Sequence, residues 1–265
     1  MKLGLDLYSV RSQGWDAIQK LDYCHSLGVG LAHFGLGDLG TTEEADLRAI
    51  KAHAGRLGIE IELGMGSICE TSPRFVGEPG DAARRAGQAL QAAHLLGSRS
   101  LKVLLGGFQD RCTETPLETH IQSCIDTCRA VREQALDLGL TLAVENHQDL
   151  QGWELKALIE QAGAEYVGAC LDSGNAVYLG EDPLVVFEHL APHIVASHIR
   201  DSAVWPHPRG AAYQWVALGQ GNVGIETLAA RYRAQCTRAS AFTLEIITGV
   251  PPRVLNYLEP GYWDA

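Results

Sequence analysis

The chain has 265 residues, 46% of them apolar, which suits one large core of the size found in a (β/α)8 barrel. Its 32 acidic and 21 basic residues give a net charge of -11 with no run of lysines or arginines, a balance that argues against DNA or RNA as a partner. The 7 cysteines form no C-x-x-C pair, Met1-Lys2-Leu3-Gly4-Leu5-Asp6 is no signal-peptide core, and no apolar run reaches membrane-spanning length, so a reduced, cytoplasmic protein without a membrane partner is expected.

In chain order, strand signals fall near residues 2–8, 29–34, 59–66, 99–105, 140–146, 165–172, 193–199 and 241–247. Helix signals lie between them, near 14–27, 42–57, 81–96, 115–138, 151–162, 182–190 and 223–235. Helices run out in Leu27-Gly28-Val29, Leu57-Gly58-Ile59, Leu96-Gly97-Ser98, Leu138-Gly139-Leu140 and Ala162-Gly163-Ala164. Glycine there supplies the left-handed residue that ends a helix and turns the chain into a strand. The alternation predicts an α/β protein with a parallel sheet and helical crossovers, closed as a single (β/α)8 TIM barrel over residues 1–265. A doubly wound sheet needs a glycine-rich phosphate turn after its first strand, and Leu5-Asp6-Leu7-Tyr8-Ser9 has none.

The stretch from Asp201 to Gly221 reads as a long irregular loop, and the tail after Pro251-Pro252 leaves room for only a short eighth helix. Gly219-Gln220-Gly221-Asn222-Val223-Gly224 has the G-x-G-x-x-G spacing but follows that loop. It is expected as a tight turn into the seventh helix, with Asn222 as its N-cap. Cys124 and Cys128 share a helix face and are expected as buried thiols.

Four polar residues end apolar strands: Glu145, Asp172, His198 and Glu245, separated by 27, 26 and 47 residues. The long last step holds the irregular stretch. Side chains at the carboxyl ends of barrel strands converge on one mouth. Taken singly, each acid has a plain structural explanation as a cap, a surface charge or a core ion pair. Together, three carboxylates and an imidazole suit one divalent ion, with Mn2+ first and Mg2+, Co2+ or Zn2+ as alternatives. Such an ion, with coordination positions left open, polarises a hydroxy-ketone and stabilises an enediolate. A carboxylate at the edge of such an ion can serve as the general base that removes the proton.

Residues two apart on a strand share a face, which places His147 beside Glu145 and Arg200 beside His198. Both are candidate substrate contacts; a salt bridge from Arg200 to Asp201 or Glu245 is the structural alternative. Lys102 interrupts the apolar Leu101-Lys102-Val103-Leu104-Leu105. It either pairs with Glu62 inside the barrel or faces the mouth to hold an anionic group. Tyr8 and His33 end the first two strands and are placed to line a pocket, which Trp205 and His207 would cover from the loop. His189 and His193 flank Pro192 and receive no metal role.

The segments Val144-Glu145-Asn146-His147, Leu171-Asp172-Ser173-Gly174-Asn175, Ser197-His198-Ile199-Arg200-Asp201, Leu218-Gly219-Gln220-Gly221 and Leu244-Glu245 resemble, in order, those of the xylose isomerase-like barrels, a family of sugar isomerases and epimerases. The resemblance implies that Glu145, Asp172, His198 and Glu245 hold a metal, commonly Mn or Mg, and that the two glutamates flank a small carbohydrate substrate as acid and base. Compared with the ketose 3-epimerases, Asn175 stands where they carry histidine and Gln151 where they carry glutamate, two positions that grip the ketose carbonyl end. Asn175 is therefore a further candidate substrate contact.

The segments Leu3 to Trp15, Gly64-Met65-Gly66-Ser67-Ile68-Cys69 and Arg200-Asp201-Ser202-Ala203-Val204-Trp205 resemble the branch containing 3-oxo-isoapionate decarboxylase. That likeness implies a carboxy-lyase for a branched 3-oxo sugar acid as the alternative to an isomerase or epimerase, with Lys102, Arg200 and Arg209 as available cations. A DNA-repair endonuclease of this barrel type needs several metals and a basic groove, which the charge opposes. A homo-oligomer is a further expectation.

Overall fold

A computed structural model of the chain describes residues 2–239 and 241–263. Eight parallel strands run in the order β10 (Ala241–Leu244), β1 (Lys2–Asp6), β2 (Leu31–Gly35), β3 (Glu60–Ser67), β4 (Ser100–Leu104), β5 (Thr141–Glu145), β6 (Val167–Asp172) and β7 (Ile194–His198). Beyond β7, Ile199 N donates to the Thr243 carbonyl (2.7 Å) and Glu245 N to the Ile199 carbonyl (3.0 Å), which brings the sheet round on itself. The strands are apolar almost throughout because helices cover their outer faces; every residue of β6 is buried.

The crossovers are α1 (Ala17–Ser26), α2 (Glu44–Leu57), α3 (Ala82–Leu96), α4 (Leu117–Ala130) with α5 (Arg132–Asp137), α6 (Gly152–Ala162), α7 (Pro183–Leu190) and α8 (Ile225–Gln235). Gly58 and Gly97 end α2 and α3 at φ of 72° and 78°, a conformation in which a Cβ is strained. Where one helix is predicted over 115–138, the chain breaks at Val131 (φ -103°, ψ 9°). The Val131 amide there turns to the Cys128 carbonyl at 3.3 Å, a bond one residue shorter than a helical one. Cys124 and Cys128 are buried free thiols. Among the described residues, no helix is long and apolar enough to cross a membrane.

Three expectations are corrected. The stretch after Arg200 is not an irregular loop: β8 (Asp201–His207) and β9 (Gly210–Val216) form an antiparallel hairpin, and the tail supplies β11 (Arg253–Leu255) along β9 in place of an eighth helix. Pro206 is tolerated because β8 is an edge strand. Pro251-Pro252 blocks helix formation and delivers the tail already extended. Asn222 does not cap α8, whose N-cap is Gly224 at φ 78°. Its amide instead accepts from Val204 N (2.9 Å) and donates to Val204 O (2.8 Å).

The turn before α8 is wrapped around one carboxylate. Buried Asp201 accepts from the amides of Gly219 (2.9 Å), Gly221 (3.0 Å) and Val223 (3.3 Å). A Cβ on Gly221 would stand 2.2 Å from Asp201 Oδ1, so only glycine fits there. Asp201→Ala strands these amides and is expected to destabilise the protein by about 3 kcal/mol. A thermal melt followed by circular dichroism should then fall by roughly 6–12 °C.

Candidate metal centre

The barrel register carries acidic and imidazole side chains to one mouth. Asp172 and His198 are direct neighbours across β6 and β7, Glu145 ends β5 opposite Leu104 of β4, and Glu245 follows β10. Glu145, Asp172, His198 and Glu245 are all buried, and each offers a ligand atom within 4.8 Å of the others. Asn146 fastens the rim beneath them: its amide donates to the Asp172 carbonyl and accepts from the Asp172 N–H, both at 2.8 Å. Asp172 is further fixed by the amides of Gly174 (2.7 Å) and Asn175 (3.1 Å) and by Asn175 Nδ2 (2.9 Å).

The cluster is only partly neutralised by its own cations. Lys102 Nζ donates to Glu145 Oε2 at 2.8 Å, while Glu62 Oε2 lies 3.7 Å from His33 Nδ1. Arg200 bonds Asp172 through Nε (3.0 Å to each oxygen) and brings Nη2 to 3.1 Å from Glu245 Oε2. That last approach satisfies charge but not direction, and Glu245 Oε2 is left without a hydrogen-bond partner. Burial opposes charge on Arg200, yet Asp172 and Glu245 outweigh it and hold the guanidinium protonated.

The two glutamates sit in opposed environments. Burial works against ionisation of Glu145, but Lys102, His198 and His147 outweigh it and hold the carboxyl well below the usual range. Burial pushes Glu245 up to about 7, with Arg200 and His198 pulling only part of the way back.

Asp6, at the end of β1, completes the arrangement from the other side of the imidazole. Its Oδ2 lies 3.3 Å from His198 Nε2, whereas His198 Nδ1 faces Glu145 Oε1 (3.5 Å) and Glu245 Oε2 (3.9 Å). Burial would raise the Asp6 carboxyl, but His198, His33 and Lys102 lower it overall. This geometry turns Nδ1 towards the ligand carboxylates and leaves Nε2, which makes no hydrogen bond, facing the Asp6 carboxylate, close enough to bias the ring by charge. Three carboxylates, one imidazole, an orphaned buried oxygen and a surplus of negative charge fit a divalent cation. Asp6→Asn should therefore weaken Mn2+ binding about 10- to 100-fold in a titration, with unchanged far-ultraviolet circular dichroism.

The centre opens into a cavity of about 1040 Å³ lined by Tyr8, His33, Lys102, His147 and Arg200 among others. His147 Nδ1 lies 2.7 Å from the Gly106 carbonyl, which can only accept, so Nδ1 carries the proton in that contact. Gly64 clears the way for two of these groups: a Cβ there would stand 2.7 Å from His33 Nε2 and 3.0 Å from Lys102 Cε.

Other expected contacts lie elsewhere. Asn175 spends its amide on Asp172 and Arg200. Gln151 takes the Trp153 indole N–H at 2.8 Å. Trp205 and His207 sit on the hairpin and do not line the cavity, since pairing in β8 directs that segment along β9. Arg209 faces Glu259 at 3.5 Å on the surface. In their place Trp215 of β9 lines the cavity, with the Arg200 guanidinium 4.8 Å from a ring centroid.

Sequence reading missed Trp215 and Asp6. Asp6 carries the same signal as the others, a carboxylate closing the apolar Leu3-Gly4-Leu5.

The sequence profile of the xylose isomerase-like TIM barrel matches residues 10–253. Among curated proteins, the chain is 33% identical over 98 residues to the uncharacterized protein YihM of Escherichia coli K12, a match covering 37% of this chain and 30% of that protein. It is 24% identical over 190 residues to 3-oxo-isoapionate decarboxylase of Pectobacterium atrosepticum, covering 69% of this chain and 60% of the relative. These matches thus span less than two thirds of either relative. A solved structure of D-psicose 3-epimerase with D-tagatose, from Clostridium cellulolyticum H10, superposes with a TM-score of 0.72 at 14% identity, covering 94% of this chain and 86% of that one, a likeness of fold.

Proposed function

Because the chain belongs to the xylose isomerase-like TIM barrels, we propose that it is a divalent-metal-dependent sugar isomerase or epimerase acting on a small hydroxylated keto sugar or keto sugar acid. The observation that carries this reading is the convergence of Glu145, Asp172, His198 and Glu245 within 4.8 Å at the barrel mouth. A bound ion, Mn2+ by preference for mixed carboxylate and imidazole ligands, would supply Lewis-acid polarisation of a substrate carbonyl.

The chain's own groups then divide the remaining work. Glu245, raised by burial towards neutrality, is matched to taking and returning a proton at the neighbouring carbon. Glu145 stays ionised against Lys102 and serves as a fixed anion on the opposite side. His147 Nε2 hydrogen-bonds a substrate hydroxyl, and the depth of the centre keeps bulk water from the exposed carbanion.

A second reading, a carboxy-lyase for a branched 3-oxo sugar acid, is favoured by Lys102 and Arg200 lining the same cavity as the carboxylates. Incubation of the Mn-loaded protein with keto sugars and branched keto acids in D2O separates the two. Deuterium at the carbon beside the carbonyl without carbon dioxide release is the expected result. Carbon dioxide release assigns the lyase, and neither event with any of these compounds would contradict both readings.

A further inference from the structure

The cavity reaches beyond the metal centre to a cation that no acid among the described residues claims. Arg74 lies on the β3–α3 connection and lines the same cavity as Lys102, Glu145 and His147. Among the described residues, its guanidinium has no carboxylate oxygen within 4.0 Å. This sets it apart from Lys102, Arg111 and Arg200, which pair with Glu145, Glu154 and Asp172. In a chain of net charge -11, an arginine left unpaired beside an acid-lined cavity is an open electrostatic position.

Arg74 is exposed at the cavity rim, but its turn is held in place. Ser72 N donates to the Cys69 carbonyl (3.0 Å), Phe75 N to the Ser72 carbonyl (3.0 Å) and Arg74 N to Ser72 Oγ (3.1 Å), a compact turn anchored by buried Ser72. The guanidinium then lies against Gly107. A Cβ there would stand 2.8 Å from Arg74 Nε and 3.0 Å from Cζ, so any other residue would push the arginine away. His147 bonds the carbonyl of the preceding residue, Gly106, at 2.7 Å. Glu145, His147 and Arg74 therefore line one cavity, the last two seated against successive residues that follow β4.

We propose that Arg74 grips an anionic group of the substrate, a carboxylate or a phosphate, at the end away from the reacting carbonyl. The inference rests on the metal-centre reading above for where the carbonyl end lies. A guanidinium offers a planar fork of donors that matches either anion in a two-pronged contact. With the carbonyl end at Glu145 and Glu245 and a hydroxyl at His147, a chain of sugar carbons leads its far end towards Arg74. This assigns the substrate to the sugar acids or sugar phosphates rather than the neutral ketoses.

The test uses the full chain with Mn2+ and three probes that lack a carbonyl: D-arabinitol, D-arabinonate and D-arabinitol 5-phosphate, titrated by calorimetry. At least one anionic probe should bind about tenfold or more tighter than arabinitol, since hydrogen bonds to a charged group carry that much. The probe that shows the advantage tells carboxylate from phosphate. Arg74→Gln should erase the advantage while leaving arabinitol and Mn2+ affinity unchanged, and Arg74→Lys should restore part of it. An undiminished advantage in Arg74→Gln, or arabinitol binding as tightly as both anions in the wild type, would overturn the proposal. Repeating the titrations in EDTA reads the metal centre separately: dependence of arabinitol binding on Mn2+ reports on that centre, and the response of the anion advantage to Arg74→Gln reports on Arg74.

Discussion

Glu245→Gln should lower turnover about 10²- to 10⁴-fold, the range for losing a positioned proton-transfer group, without unfolding the protein. Glutamine keeps the shape and one oxygen for an ion but can neither accept nor return a proton. The expectation is specific to Glu245 because the two glutamates are not equivalent. Glu145 is fixed as an anion by Lys102 at 2.8 Å, whereas in the ion-free protein burial pushes Glu245 up to about 7, which marks it as the more readily protonated of the two. Glu145→Gln should also be nearly inactive, but it leaves part-buried Lys102 without its partner as well as removing an anionic ligand. The contrast is measured as kcat on whichever sugar shows deuterium exchange, alongside Mn2+ affinity. Both variants should bind Mn2+ more weakly, since each removes an anionic ligand, and at saturating Mn2+ the loss of kcat should persist in Glu245→Gln. Full activity in both variants would sink the assignment of this mouth as the reacting centre.

Arg200→Ala should be among the most destabilising single changes in the chain, by about 3–5 kcal/mol, the usual effect of removing one partner from a buried ion pair. Asp172 and Glu245 would be left buried with their shared cation gone. The Trp215 ring would lose the guanidinium packed 4.8 Å from it. At about 2–4 °C per kcal/mol for a chain approaching this size, melting in EDTA should fall by roughly 6–20 °C. Added Mn2+ should recover part of that loss, because an ion bound only by the folded state stabilises it. Gly174→Ala offers an independent approach to the same contact: a Cβ there would stand 2.5 Å from Arg200 Cγ, and the arginine must move off Asp172 to admit it. A melting point for Arg200→Ala within a degree or so of the wild type would show that these contacts contribute little.

What the sequence discloses about this chain follows from the range of the forces involved. The parallel strands and their helices are legible because each is a local pattern: an apolar run such as Val167 to Leu171, then a helix closed by a glycine such as Gly58 or Gly97. The convergence of Glu145, Asp172, His198 and Glu245 follows from those patterns, since ending successive parallel strands is enough to bring them to one rim. The hairpin Asp201–Val216 is not legible, because Pro206 and Pro208 read as breakers and the third strand of its sheet, β11, comes from the distant tail. Lys102 is ambiguous for a similar reason. Its neighbour across the sheet is Ala143, with Leu104 facing Glu145, and this register decides that its ammonium reaches Glu145. Arg74 carries no local signal at all; its meaning comes from Gly107, which only the fold places against it.

The claim on which the rest depends is that the four strand-end side chains hold one divalent ion. Equilibrium dialysis of Mn2+ against the full chain tests it most directly, run beside the Asp172→Asn and His198→Asn variants with their fold checked by circular dichroism. The account predicts one ion per chain in the wild type and a large loss of affinity in each folded variant. Wild-type binding no tighter than that of the folded variants would contradict it.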